Sequence, residues 1–271
     1  MSATDGGEIV ALAAGAHPDD IELMMAGTLL QLKKTGALIH MWCVSDGSLG
    51  SASVDREATA RRRLEEARAS AEAAGADFLG PVAPDMGITC EPAILARAAA
   101  VVREVKPRII LVHSPSDYHP DHENSSRLVV AAAFVRAFPH YPSDPPVPPW
   151  GGETTIYHAL PYGLRDPLRR RVAAGQYVDT GDVMEQKRLM LAMHRSQSEW
   201  LRRTLAIEYV ESMERMSIEA GVASGRFRHA EGWRRHYHLG FSRADSDPLS
   251  DLLGPLCWTD PGYEEGLDLE A

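Results

Sequence analysis

The sequence predicts an α/β fold, a mostly parallel sheet with helices on both faces. Two observations predict it. Residues 1–137 alternate apolar strand-like runs with longer helix-like runs in the order β-α-β-α-β-α-β-α. The chain has 271 residues, 44% of them hydrophobic and 24% charged, enough for one large domain with a proper core.

The elements follow in order. Ile9–Ala16 reads as a buried strand, and Asp19–Thr35 as a helix ended by Gly36. Ala37–Val44 is a second strand, and Asp46–Asp55 a loop rich in Gly and Ser. Thr59–Ala74 is rich in Arg, Glu and Ala, a strongly helical run closed by Gly75 just past its end. Asp77–Val82 is a weak third strand. Pro92 sits where a helix would start, Ala93–Val105 continues it, and Lys106-Pro107 stops it. Arg108–His113 is a fourth strand, and Glu123–Ala137 a helix. The stretch PHYPSDPPVPPWGG (139–152) breaks the rhythm. It reads as a loop, either a surface connector or a rim of the functional site. Thr154–Ala159 and Gln176–Asp179 are strands, with helices over Val183–Met193 and Ser198–Glu219. The expected organisation is a single domain: a core at 1–137, a substrate or oligomer region at 138–244, and an acidic, partly loose tail at 245–271.

Composition narrows the function classes. Lys+Arg 28 against Asp+Glu 38 gives a net charge of -10, which argues against nucleic acid as the main partner. Cys43, Cys90 and Cys257 are far apart and form no CxxC pair, so buried free thiols in a reducing cytosol are expected. Asp5 and Glu8 precede the first apolar run where a signal peptide would carry basic residues. No apolar stretch reaches the ~18 residues of a membrane span. A cytoplasmic enzyme acting on a small molecule, without membrane or nucleic-acid partners and with a homo-oligomer left open, is the expectation.

Two clusters carry the chemistry: His17-Pro18-Asp19-Asp20 and His119-Pro120-Asp121-His122. Each follows the exit of a strand, the first and the fourth. In a doubly wound sheet of order 3-2-1-4-5 those strands are neighbours, and the crevice between their exits is the usual ligand site. The two clusters therefore read as one split metal site. A catalytic zinc takes three His or Asp/Glu ligands and keeps a position for water. His17 and Asp20 suit two of those positions and His122 the third. Asp19 is left beside the water, placed to act as general base. The same donor set suits iron(II), so Zn²⁺ is favoured with Fe²⁺ or another divalent ion left open. AAGAHPDD lacks the GxGxxG spacing of a dinucleotide site.

On these residues the chain resembles the LmbE-like, or PIG-L, family of zinc-dependent N-acetylglucosamine de-N-acetylases. The matching segments are GAHPDDIE (15–22), AGT (26–28), SDGSLGS (45–51), RLEEA (63–67) and SPSDYHPDHEN (114–124). YVESMERM and RHAEGW resemble its C-terminal part more loosely. The branch acting on bacterial thiol-cofactor precursors is the most similar. The resemblance implies a Rossmann-like fold, a zinc ion and hydrolysis of an N-acetyl group on a small amino-sugar conjugate. It implies His17, Asp20 and His122 as metal ligands and Asp19 as base. It further implies that His119 polarises the carbonyl or protonates the leaving amine, that Asp121 orients His119, and that Arg63 binds substrate. Where the family has Gly-Gly-Thr and Thr-Asp-Gly this chain has Ala26-Gly27-Thr28 and Ser45-Asp46-Gly47. Glu66, one turn beyond Arg63, is expected to orient it, and Asp121 to favour the charged form of His119. Two other classes stay open: another metal-dependent amide or ester hydrolase, and a non-catalytic sugar- or nucleotide-binding protein.

Overall fold

The computed structural model describes residues 8–269; the N-terminal stretch with Asp5 lies outside them. The first half follows the expected alternation: β1 (Val10–Gly15), α1 (Asp20–Met24), α2 (Ala26–Lys34), β2 (Leu38–Cys43), α3 (Arg56–Ala74), β3 (Asp77–Leu79), α4 (Pro92–Val105), β4 (Ile109–Val112) and α5 (Pro120–Val135). Then come β5 (Thr155–Ala159), β6 (Gln176–Asp179), α6 (Met184–Ala192), α7 (Arg195–Leu205), α8 (Tyr209–Ser224), β7 (Ala230–Arg235), α9 (Pro248–Leu253), β8 (Cys257–Thr259) and α10 (Pro261–Leu269).

One eight-stranded sheet runs in the order β3-β2-β1-β4-β5-β7-β6-β8. The strands from β3 to β5 pair in parallel, as expected, and β7, β6 and β8 add antiparallel pairs. Alternate residues of the central strands feed two separate cores. Ala11, Ala13, Ile109 and Leu111 enter one, while Leu12, Ala14, Ile110 and Val112 enter the other. Both faces are thus covered, which is why these strands read as unbroken apolar runs. The α3 boundaries also follow local rules. The Asp55 side chain accepts from Ala58 N, and Gly75 adopts the left-handed conformation that ends the helix.

Several expectations need correction. The helix expected over Asp19–Thr35 is two helices, broken at Met25, which is fully buried. The break exposes the N-terminus of α2 to Glu231 on β7. Gly27 N and Thr28 N donate to its two carboxylate oxygens at 2.8 and 2.7 Å. Lys187 donates to the same carboxylate at 2.6 Å, fully buried. No side chain fits at Gly27, because a Cβ there would come within 2.4 Å of Thr180 Cγ2. This clamp accounts for the AGT segment.

The helix expected over Ser198–Glu219 is likewise two, α7 and α8, separated by Ala206 at φ 53°. The RHAEGW stretch leads into β7. Its Trp233 is fully buried and donates to Thr28 Oγ1 at 2.9 Å. The tail is not loose: α9 packs under the sheet with Leu249 fully buried, and β8 pairs with β6. Cys90 is exposed, while Cys43 and Cys257 are buried as expected. The Pro-rich connector is an ordered surface segment. Arg103 ties it down by donating to the carbonyls of Phe138, Tyr141 and Val147. Among the described residues no helix is long and apolar enough to cross a membrane.

Candidate metal centre and cavity

The exits of β1 and β4 lie side by side, so the topology brings the two clusters together. Asp20 is the hub. His17 N donates to its Oδ2 at 2.7 Å, and His122 Nε2 lies 3.2 Å from its Oδ1. His17 Nδ1 is 3.4 Å from Oδ2. His17, Asp19, Asp20 and His122 are all buried.

The outer carboxylates decide which ring nitrogen each histidine turns inward. His17 Nε2 faces Asp121 at 3.3 Å and Asp85 at 3.4 Å, so its proton belongs there. Its Nδ1 is left as a free lone pair. His122 Nδ1 faces Asp117 at 3.0 Å, which leaves Nε2 free toward Asp20. A carboxylate behind each ring is the arrangement that orients metal-ligating histidines. The donors fit a divalent cation: Asp20 lies against both histidines, and ligand atoms of His17, His119 and His122, and of Asp20, His113 and His122, lie within 4.8 Å of one another. His113, read from sequence as structural, is fully buried behind Asp20. It accepts from Ala16 N at 2.9 Å and stacks on the His122 ring with centroids 4.1 Å apart.

Electrostatics follow from this crowding in the ion-free protein. Burial opposes charge on His122, yet Asp20 and Asp117 raise its pKa to about 9. Burial likewise opposes His17, and Asp121, Asp20 and Asp85 raise it well above the ordinary value. Asp20 is held well below the usual carboxylate range, since His122 and His113 outweigh its burial. Asp19 moves the other way. Burial raises it, and Asp20 adds to this against the opposing pull of Arg63. A carboxylate with raised affinity for protons, next to one that stays ionised, is a pairing suited to separate roles. Asp19 also sits at φ 119°, a strained value of the kind that gathers at functional sites.

Two expected side-chain partnerships are not found. The Asp121 carboxylate does not meet the His119 ring; it faces His17 and accepts from Met86 N at 2.7 Å. Only the backbone N of Asp121 meets His119, donating to Nδ1 at 3.2 Å. Neutral His119 therefore carries its proton on Nε2. Its pKa is lowered overall by burial and by His17 and His122, although Asp20 and, as expected, Asp121 favour its charged form. Glu66 does not orient Arg63 but accepts from Ser196 N at 3.0 Å and from its hydroxyl. Arg63 is buried, and its terminal nitrogens are committed within the protein, to Gly47 O at 3.0 Å, Pro18 O at 2.8 Å and Asp19 Oδ2 at 3.1 Å.

The clusters open into a cavity of about 450 Å³, a size common for small-molecule sites. Its walls come from the segments that follow β1, β2, β3, β4 and β5, from Arg63 of α3, from α7 and from the start of α8. His194 is fully buried near Asp19 and Glu22. Its Nε2 lies 3.0 Å from Glu22, not aligned as a hydrogen bond. Sequence reading missed Asp85 and Asp117. Asp85 stands just past β3 and Asp117 just past β4, so the strand-exit logic that found the histidines would have found them too.

Comparison with known proteins agrees with this geometry. Diacetylchitobiose deacetylase of Thermococcus kodakarensis is 29% identical over 197 residues, covering 67% of each chain. The 4-oxalmesaconate hydratase of Pseudomonas putida is 32% identical over 133 residues, 46% of this chain and about half (52%) of that protein. Among solved structures, N,N'-diacetylchitobiose deacetylase from Pyrococcus horikoshii superposes with a TM-score of 0.72 at 21% identity. That match covers 89% of this chain and 88% of the other, and it establishes the fold. Residues 12–133, the span that holds both clusters, match the family model described as PIG-L: GlcNAc-PI de-N-acetylase.

Proposed function

We propose that the protein is a metal-dependent hydrolase that removes the acetyl group from an N-acetylated amino sugar of the N-acetylglucosaminyl type. The observation that carries this reading is the convergence of His17, Asp20 and His122 beside a separately held Asp19. The names of the chitobiose deacetylases it resembles support the acyl-amide substrate.

His17, Asp20 and His122 would hold the ion. When bound, a divalent ion such as Zn²⁺ supplies Lewis acidity and lowers the pKa of a coordinated water to about 7. Asp19 takes the proton of the attacking water, helped by the burial that raises its proton affinity. Arg63 fixes the rotamer of Asp19 by its 3.1 Å contact. His119, with its proton on Nε2, donates to the acetyl oxygen as negative charge gathers there, an effect typically of ~3 kcal/mol per donor. Protonated Asp19 then returns the proton to the leaving amine. Asp121, Asp85 and Asp117 orient the histidine ligands rather than touch substrate.

The hydratase among the relatives raises a different reaction, one whose substrate by name carries carboxylates. Such a substrate calls for free cations. The cavity walls offer one, Arg63, and it is already engaged by three protein oxygens. The deacetylase reading is therefore preferred. Its test is acetate release from N-acetylglucosamine glycosides by protein stripped of metal and reloaded with zinc. Turnover only after loading is expected; carboxylate-substrate hydration without amide cleavage would refute it.

A further inference from the structure

The mouth of the cavity is apolar, and its charge pattern is hostile to anions. Leu49, Met86, Tyr118 and Leu205 all line it, and each is between 46% and 59% exposed. They come from four different segments, the loops after β2, β3 and β4 and the end of α7. Large apolar side chains left this open usually occur singly; four meeting at one opening mark a binding surface. Trp200 and Leu201 continue the patch inward along α7, and Ile207 follows the break at Ala206.

Backbone geometry places part of this rim deliberately. Met86 sits at φ 58°, unfavourable for a side chain of its kind, and is held there by its N–H donating to Asp121 Oδ2. The residue that orients His17 thus also aims Met86 at the opening. On the charge side, Asp19, Asp20 and Asp85 face the cavity, and its sole arginine is engaged. Outside it, Arg62 and Arg203 sit beside Glu66 and Glu199, and Arg56 donates to Ser48 Oγ at 3.3 Å. Nothing here would bind a carboxylate or phosphate on the group next to the sugar.

Building on the deacetylase reading, we infer that the enzyme selects substrates whose amino sugar carries an uncharged, apolar aglycone, aryl or alkyl, seated against α7 and Met86. An anionic aglycone is disfavoured. Leu205→Asp is a suitable probe because its exposed position tolerates a charge without loss of folding.

The experiment compares kcat/KM of the zinc-loaded protein on the methyl, phenyl and carboxymethyl glycosides of N-acetylglucosamine. The phenyl glycoside should exceed the methyl by roughly tenfold through burial of its ring, and the carboxymethyl should be the poorest. In Leu205→Asp the phenyl-to-methyl ratio should fall close to one. In Val222→Asp, exposed on α8 far from the mouth, the ratio should stay as in the wild type. A phenyl glycoside no better than methyl, or a carboxymethyl glycoside as good as either, overturns the inference. If no glycoside releases acetate, the deacetylase reading fails on its own. Calorimetry with the phenyl and methyl glucosaminides then still decides the mouth: tighter phenyl binding that Leu205→Asp abolishes supports it, and equal binding overturns it.

Discussion

The floor and the mouth of the cavity are built on opposite principles. On the floor every ring and carboxylate has a fixed partner: Asp117 behind His122, Asp121 and Asp85 behind His17, Arg63 behind Asp19. At the mouth the side chains are apolar, half exposed and held by few directed contacts. Hydrogen bonds fix direction, which chemistry at one atom demands. Apolar contact fixes only area, which suits recognition of a variable group. The difference teaches that the reaction type is written into the floor and substrate choice into the mouth.

That division can be broken by experiment, most severely at the floor. On the proposed ligand set, His122→Ala removes a ligand atom outright. The bound divalent ion, about one per chain in the wild type, should be lost together with activity, as elemental analysis and acetate release would record. Stoichiometric ion surviving this change would mean the ligands are misassigned. Asp19→Asn is the next largest. Asparagine accepts the positive φ at this position, so the fold and the ion should persist while the rate drops ~10²–10⁴-fold. Loss of the ion instead would exchange the roles of Asp19 and Asp20. Asp117→Asn leaves all ligands in place and disturbs only the proton on His122 Nδ1. Zinc affinity, followed by competition with a chelator, should weaken ~10–100-fold. No change would show that the ring needs no partner.

The smallest effect is on stability against pH. In the ion-free protein His122 has a raised pKa of about 9. Its contribution is then fully present below the ordinary histidine value near 6.5 and is lost as pH rises through about 9. Ion binding needs the unprotonated ring, so the loaded protein gains over the same window. Melting temperatures of stripped and loaded protein should diverge as pH is raised from about 6.5 to 9. Parallel curves would remove His122 from the ion site.

The floor was largely legible in the sequence. Strands buried on both faces announce a parallel sheet, and a parallel sheet puts the exits of β1 and β4 together, so His17, Asp19, Asp20 and His122 could be grouped before any coordinates. Which partner each carboxylate takes was not legible. Asp121 is adjacent to His119 in spirit of spacing, two positions away, yet the start of α5 turns its side chain toward His17. Arg63 was picked out from its neighbours Arg61 and Arg62 only by family resemblance, and its engagement with Asp19 depends on the packing of α3 against the first loop. The mouth was harder still. The break between α7 and α8 at Ala206, which brings Ile207 and Tyr209 to the cavity, lies in a run with unbroken helical propensity. β7 was missed because Glu231, Gly232 and two arginines are poor strand formers, and pairing with β5 and β6 overrides them.

The grip of Glu231 on the start of α2 bears on how the protein comes into being. The two clusters are synthesised within the first 122 residues, but the amides of Gly27 and Thr28 that follow the first cluster wait for a carboxylate made more than a hundred residues later. The lysine that neutralises that carboxylate, Lys187, precedes it. On the ribosome the start of α2 therefore emerges well before the carboxylate that caps it. Nascent chains arrested at successive lengths should begin to retain zinc only once residue 231 has left the exit tunnel.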